Sequence, residues 1–411
     1  MQRNLVSALR NRTLFLDDEG DVWGCGSNVD GVLGSKKETN YKSFTKFSGV
    51  REVVSISSTS LITVLLSRGG DVWVCGDNTQ GQLGTGDYSS PPAPVKISSL
   101  PQIQCVSLGL NHSLFLDFDG CVWSCGKNMS GQLGLGDTRR RTMPTKIPGL
   151  PVIEKVMGSG FHSLFIDFEG NFWVCGSNAD GELGYYDTTM SHTPQKVPKL
   201  PRIVDFANES EPRMDIEGSI MVLDEEGGVW GCGSNSNGQL GLGPTRKFYE
   251  YTKIAGLPPI ARISVSEQNS LFITEDGEVW GCGDNQNAEL GFGDTKLRTQ
   301  PEKIEQLSMI VSCYLGYRRT AFLDCDGGVW VVVYGKEDKM PEKLQLPPIQ
   351  TVSIGNDHMI LIDYEGGVWT YGLNTEGQLG FGDKKARPKP EQVPGMRVQK
   401  YRTSVKSARA I

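Results

Sequence analysis

Histidine is scarce and scattered in this chain. The four, His112, His162, His192 and His358, lie too far apart for H-E-x-x-H or any other short-spaced metal motif. Three of them occupy one point of a recurring unit, so the expected role is an imidazole bonded to a neighbouring turn, and no metal is expected. No G-x-S-x-G elbow occurs, and the acidic residues are spread among turns, which leaves a nucleophile without a base and gives enzyme chemistry no foothold. Runs of apolar residues long enough to span a bilayer are also missing. Met1 to Asp18 carries Arg3, Arg10 and Arg12 with no long apolar stretch, so no secretory signal is expected. The place expected for the chain is therefore cytoplasmic or nuclear, with reduced thiols and no membrane.

What the sequence has is repetition. All eight tryptophans, Trp23, Trp73, Trp123, Trp173, Trp230, Trp280, Trp330 and Trp369, stand at one place in the unit, at intervals of 50, 50, 50, 57, 50, 50 and 39 residues. Each closes a phrase such as Asp119-Gly120-Cys121-Val122-Trp123-Ser124-Cys125-Gly126, usually followed by N-x-x-G-Q-L-G-x-G-D. A period near fifty indicates a solenoid, a propeller or an array. Within the third unit four short extended segments follow one another: the run from Ile103, then Asn111 to Asp117, then Cys121 to Gly126, then Pro144 to Ile147. An Asp-Gly or Glu-Gly pair between the second and third supplies the positive φ of a tight hairpin. Ser113-Leu114-Phe115-Leu116 is apolar on both faces, which suits a blade packed between two others better than a one-sided sandwich. The expectation is an all-β fold, a β-propeller of four-stranded antiparallel blades, eight by motif count, with residues 1–395 as one domain and 396–411 as a basic C-terminal tail.

The phrase V-x-x-V-S-x-G-x-x-H-S-L-F-L-x-x-D-G-x-V-W-x-C-G-x-N-x-x-G-Q-L-G-x-G-D resembles the regulator-of-chromosome-condensation repeat, and it covers nearly the whole chain. The resemblance implies a propeller, seven-bladed in the family norm, whose fold needs no cofactor. It further implies protein partners and, for the best-known members, guanine-nucleotide exchange on a Ran-like small GTPase.

The eight tryptophans are expected to be the structural core of the repeat, wedged between blades. Full burial of one indole, about 150–250 Å², corresponds to about 4–6 kcal/mol before entropy. Six cysteines (Cys25, Cys75, Cys125, Cys175, Cys232, Cys282) fall two residues after a tryptophan, each in a different unit, an arrangement awkward for disulfides. Cys121 and Cys125 lack a second ligand pair, so zinc is disfavoured. The asparagine of each N-x-x-G-Q-L-G phrase is expected to bond its own backbone in a turn while the leucine pins the loop. Ala288, in place of that phrase's first glycine, predicts backbone strain or an altered turn.

Two units are irregular. The seventh lacks the N-x-x-G-Q-L-G loop, and the fifth carries the additional residues 208–217 between its first two strands. That insertion concentrates Glu209, Glu211, Asp215 and Glu217, and loops on a rigid scaffold commonly carry function. Tyr185, Tyr186, Phe248, Tyr249 and Tyr251 add aromatic anchors of the type interfaces favour. These acids and aromatics are the candidate partner-binding residues. Residues 384–411 hold nine Lys/Arg against one acid, so the rest of the chain is at −15 while the whole is at −7. An acidic body argues against a nucleic-acid groove, and Lys384-Lys385-Ala386-Arg387 reads either as an import signal or as an ordinary blade loop. The function expected is that of a non-enzymatic, monomeric protein–protein interaction scaffold, with exchange on a Ran-like GTPase as the alternative.

Overall fold

In the computed structural model, residues 5–35, 38–185, 187, 189–209, 218–316, 319–333 and 339–398 are described. They form eight sheets, each a four-stranded antiparallel blade, with one further two-residue strand added to the sixth; the blades span 6–46, 53–96, 103–146, 153–196, 203–253, 260–303, 310–343 and 349–397, here blades 1 to 8. The described residues contain no α-helix, and one short 3-10 turn lies at Val29–Gly31. First strands of successive blades lie beside one another, Val6–Leu9 against both Val53–Ser58 and Ile349–Ile354, so they line the ring's centre and blade 8 meets blade 1. The eight-bladed count expected from the tryptophans is the architecture observed.

Each blade is built as the repeat predicts. Ile103–Leu108, His112–Asp117, Val122–Gly126 and Arg141–Lys146 make blade 3, and every residue of its second strand is buried. The hairpin differs from a two-residue tight turn. Gly120 N–H donates to Asp117 O at 3.1 Å and Asp117 N–H to Cys121 O at 3.0 Å, which makes a three-residue loop with the single positive φ, 76°, at Gly120.

Eight hydrophobic clusters occupy the eight junctions between blades, and each receives one tryptophan from the second blade of its pair, as Trp73 at the 1/2 junction and Trp23 at 8/1. Wedging between blades thus holds, but the indoles are only partly buried. Full burial falls on the residue paired across the hairpin, Phe115 opposite Trp123 and Phe165 opposite Trp173. The reason is a polar anchor. The aspartate that ends the second strand accepts the indole N–H: Asp117 Oδ2 from Trp123 Nε1 at 3.0 Å, with the same bond at Trp23, Trp173, Trp230, Trp330 and Trp369. Its other oxygen takes the backbone N–H groups of Asp119 and Cys121. The carboxylate is itself buried, 5% exposed at Asp117, so these donors take the place of solvent and fix the indole edge beside the hairpin.

Blades are joined by the N-x-x-G-Q-L-G loop. Asn128 Oδ1 accepts Leu133 N–H at 2.9 Å and its Nδ2 donates to Asp137 O at 2.8 Å, which confirms the expected turn. The bent loop then turns the carbonyl of Gln132 toward blade 4, where Ser163 Oγ donates to it at 2.7 Å and Cys175 Sγ at 3.8 Å. This clamp recurs around the ring. Gln82 O takes Ser113 and Cys125, Gln239 O takes Ser270 and Cys282, Val32 O takes Thr63 and Cys75, and Glu289 O takes Thr320. At the 4/5 junction Glu182 O takes Cys232 Sγ at 2.9 Å and Tyr251 OH at 3.3 Å. Closure uses the same device, with Gln378 O of blade 8 accepting Thr13 Oγ1 at 2.7 Å and Cys25 Sγ at 3.2 Å of blade 1. The 7/8 junction is the exception. Blade 7 has no such loop, and the partner positions in blade 8 hold Met359 and Tyr371, both buried in the junction cluster.

Blade 6 departs from the aspartate rule. Thr274 stands where the acid would be, and Trp280 Nε1 is buried with no partner among the described residues. Asp117→Ala, which removes three bonds to a carboxylate, is expected to lower unfolding free energy by about 3 kcal/mol in urea titrations, whereas Thr274→Asp, which gives Trp280 an acceptor, is expected to raise it by about 1 kcal/mol.

Candidate partner-binding surfaces

Antiparallel order places the strand 1–2 turns and strand 3–4 loops on one face of the ring, and the hairpins and inter-blade connectors on the other. The acidic insertion belongs to the loop face. It begins after Ile203–Phe206, and its first residues, Asn208–Glu209, pair parallel with the inner strand of blade 6, Asn208 opposite Ser264 and Glu209 opposite Val265. Glu211, Asp215 and Glu217 lie outside the described residues, as does Tyr186.

The return of the insertion is tied to blade 4. Gly218 N–H donates to Asp180 Oδ2 at 2.9 Å, and Asp180 Oδ1 forms an ion pair with Lys247 at 2.6 Å. Directly beneath, Glu182 occupies the place that glutamine holds in four blades and accepts Asp180 N–H at 2.8 Å. A Cβ on Gly218 would come within 2.9 Å of the Glu182 carboxyl carbon, so only glycine fits that close approach. Burial raises the Glu182 pKa. None of Asp180, Glu182 and Lys247 emerges from the spacing of the insertion itself, since their partners are 38 and 67 residues away. The signal available was the repeat: Gly181-Glu182-Leu183-Gly184 reads Gly-Gln-Leu-Gly in units two, three, five and eight.

Three of the aromatic candidates converge on the 4/5 junction. Tyr185 OH donates to Gln195 O at 2.6 Å and its ring joins the junction cluster with Tyr251. Tyr249 lies on Gly181, where a Cβ would come within 2.4 Å of its ring. Phe248 pairs with Gly233 and packs into the 5/6 cluster. Of these Tyr249 has the most free surface, at 42% exposed.

The remaining motifs are absorbed by the ring. His112 Nε2 meets Ser163 Oγ of the next blade at 3.0 Å, and His358 Nε2 meets Thr13 Oγ1 at 2.9 Å, so the imidazoles buttress the hydroxyls of the clamp. His162 faces a blade with Ile220 at that position, and its Nε2 has no partner among the described residues. The six repeat cysteines are buried donors to loop carbonyls, and burial raises their pKa. Lys384 pairs with Glu376, and Arg387 pairs with Asp383 and Glu391 at the start of Arg387–Arg397, which is the pattern of a blade loop. Ala288 does adopt positive φ, at 64°.

The model of the Regulator of chromosome condensation (RCC1) repeat matches residues 69–116, 119–166, 226–273, 276–323 and 365–408, more than half of the chain. The chain belongs to the RCC1 repeat family. A second model of the same repeat matches 53–82, 103–132, 260–289 and 349–378. Among solved structures, human WBSCR16 is similar at 21% identity and TM-score 0.63, covering 81% of this chain and 96% of that one. Yeast RCC1 (Prp20), solved bound to Kap60, is similar at 23% identity and TM-score 0.61, covering 79% and 84%. Prp20p of Saccharomyces cerevisiae, solved in work on its binding to Gsp1p and histones, is similar at 23% and 0.60, covering 83% and 87%. These likenesses show the shared propeller fold. A search of curated proteins by sequence gives no match. No helix of the described residues is long and apolar enough to cross a membrane.

Two pH dependences follow from this geometry. Burial holds Glu182 above the usual carboxylate range, so its charged form is penalised in the folded state and the penalty vanishes as pH falls below the unfolded value. Glu182→Gln is expected to raise Tm at pH 7, with a gain that shrinks toward pH 4, as read by calorimetry. Burial lowers His358 to about 4 and His112 to about 3 from 6.5, so the stability of the neutral imidazoles is complete above 6.5 and is lost as pH falls toward those values. Urea midpoints are expected to drop between pH 7 and 5, by roughly 2 kcal/mol per histidine, and His358→Gln is expected to flatten that slope.

Proposed function

We propose that this protein is a non-enzymatic interaction scaffold of the cytoplasm or nucleus, a monomeric ring that presents irregular loops to protein partners. The observation that carries this reading is the use of the repeat's polar groups. Aspartate, asparagine, histidine and cysteine are spent on indoles, turns and clamps, so the rigid part of the ring is inward-looking, and its variation is displayed on the faces. The clearest departure is the insertion at 208–217, anchored at Gly218 on Asp180 and beside the exposed Tyr249. Glu209, Glu211, Asp215 and Glu217 on it would meet a basic partner surface, with Tyr185, Phe248 and Tyr249 near its base and Tyr186 next to Tyr185 in sequence.

Guanine-nucleotide exchange on a Ran-like GTPase is the second reading, supported by membership of the RCC1 repeat family and by the Prp20 structures, one of which accompanies a description of binding to Gsp1p. Exchange would use the same insertion, its carboxylates and backbone displacing Mg²⁺ and phosphate at the nucleotide site.

One pair of measurements separates the two. Release of a fluorescent guanine nucleotide from a Ran-type GTPase is expected to show no acceleration at micromolar protein, and acceleration would establish the exchange reading instead. In affinity capture, Glu209→Lys/Glu211→Lys/Glu217→Lys is expected to weaken recovery of partners several-fold, and unchanged recovery would remove the insertion from the scaffold.

A further inference from the structure

We infer that the hairpin face of blades 3 and 4, opposite the insertion, is a docking site for an acidic peptide segment bearing bulky apolar side chains. The inference rests on the scaffold reading and adds a second binding face to it.

The repeat supplies its own control. The residue after each hairpin aspartate, or its replacement, points outward, and four blades place a charge there, Asp18, Arg68, Glu225 and Glu275. Blades 3 and 4 place Phe118 and Phe168, 59% and 58% exposed. Between them lies Val152, 55% exposed. It abuts the first hairpin, since a Cβ on Gly120 would meet its Cγ1 at 2.4 Å, and its carbonyl accepts Phe168 N–H at 3.4 Å. Two solvent-facing phenylalanines flanking a valine on adjoining blades form an apolar strip that the fold does not require. The strip is held in place, because Arg202 Nη1 and Nη2 donate to the carbonyls of Glu169 and Phe168 at 2.9 and 3.3 Å. A partner would meet it already ordered.

Charge selects the partner. In every blade but the last, a lysine ends the fourth strand opposite the tryptophan, as Lys146 opposite Trp123 and Lys196 opposite Trp173. In four other blades this lysine meets a carboxylate: Lys46 with Asp21, Lys96 with Asp71, Lys303 with Glu278 and Lys343 with Asp324. In blade 5, Lys253 lies over the Trp230 ring and has no ion-pair partner among the described residues. Blades 3 and 4 put Cys121 and Asn171 in the acid's position, and neither Lys146 nor Lys196 has an ion-pair partner among the described residues, although Cys121, Asp117 and Asp119 raise the Lys146 pKa. The apolar strip thus falls on two adjoining blades whose lysines are without an ion pair, within a body that is acidic as a whole. An aromatic and aliphatic centre with a cationic rim is the complement of a peptide that carries carboxylates around leucine or phenylalanine.

The probe is a short fluorescein-labelled peptide of Asp, Leu and Phe, with a control in which Lys replaces Asp, read by anisotropy. The acidic peptide is expected to bind, and the control not. Affinity is expected to fall about tenfold in Phe118→Ser/Phe168→Ser and several-fold in Lys146→Glu/Lys196→Glu. Since these side chains are exposed, an unchanged Tm shows that the variants fold. The inference is overturned if the acidic peptide does not bind, or binds equally well to the variants. It is also overturned if the strip instead drives pelleting with phosphatidylserine vesicles or concentration-dependent self-association in sedimentation. Affinity capture with wild-type protein and Phe118→Ser/Phe168→Ser separates the two levels. Partners retained by the variant remove the strip alone, and a wild-type ring that captures nothing removes the scaffold reading itself.

Discussion

The ring depends on one backbone carbonyl at seven of its eight junctions. In the loop after the third strand, an asparagine folds the chain back on itself, and the freed carbonyl, at glutamine in four cases, is taken up by a hydroxyl and a thiol of the following blade. A buried carbonyl without a donor is costly, so the loop, the hydroxyl on the second strand and the cysteine on the third act as one unit distributed over two blades. Hydrophobic area drives the blades together; the clamp sets where they stop.

This division of labour explains how the sequence could be read. The tryptophan period counts blades because each indole serves one junction, and the apolar second strands predict burial on both faces. Partial burial of the indoles was not visible, although the aspartate six residues earlier was in view. The asparagine turn was legible from side-chain chemistry, but the carbonyl it presents to the next blade belongs to the main chain, on which sequence is silent. The cysteines read correctly as buried thiols, while their role as donors required the neighbouring blade. In the candidate surfaces, the insertion stood out by length alone. Its anchorage on Asp180, and the burial of Glu182 beneath it, depend on contacts between units that no local pattern encodes.

The faces follow a different rule from the junctions. Positions turned toward a neighbouring blade repeat closely, because each must match a nearly identical partner. Positions turned to solvent are free to vary, and their variation includes the phenylalanines on blades 3 and 4 and the foot of the insertion on blades 4 and 5.

The junction between blades 7 and 8 carries a mechanical implication. Blade 7 lacks the loop phrase, and blade 8 has Met359 and Tyr371 where five blades keep a hydroxyl and a thiol. Apolar contact lacks the directionality of a hydrogen bond, so a small slide of blade 8 along blade 7 breaks no clamp, unlike the same movement at the other seven seams.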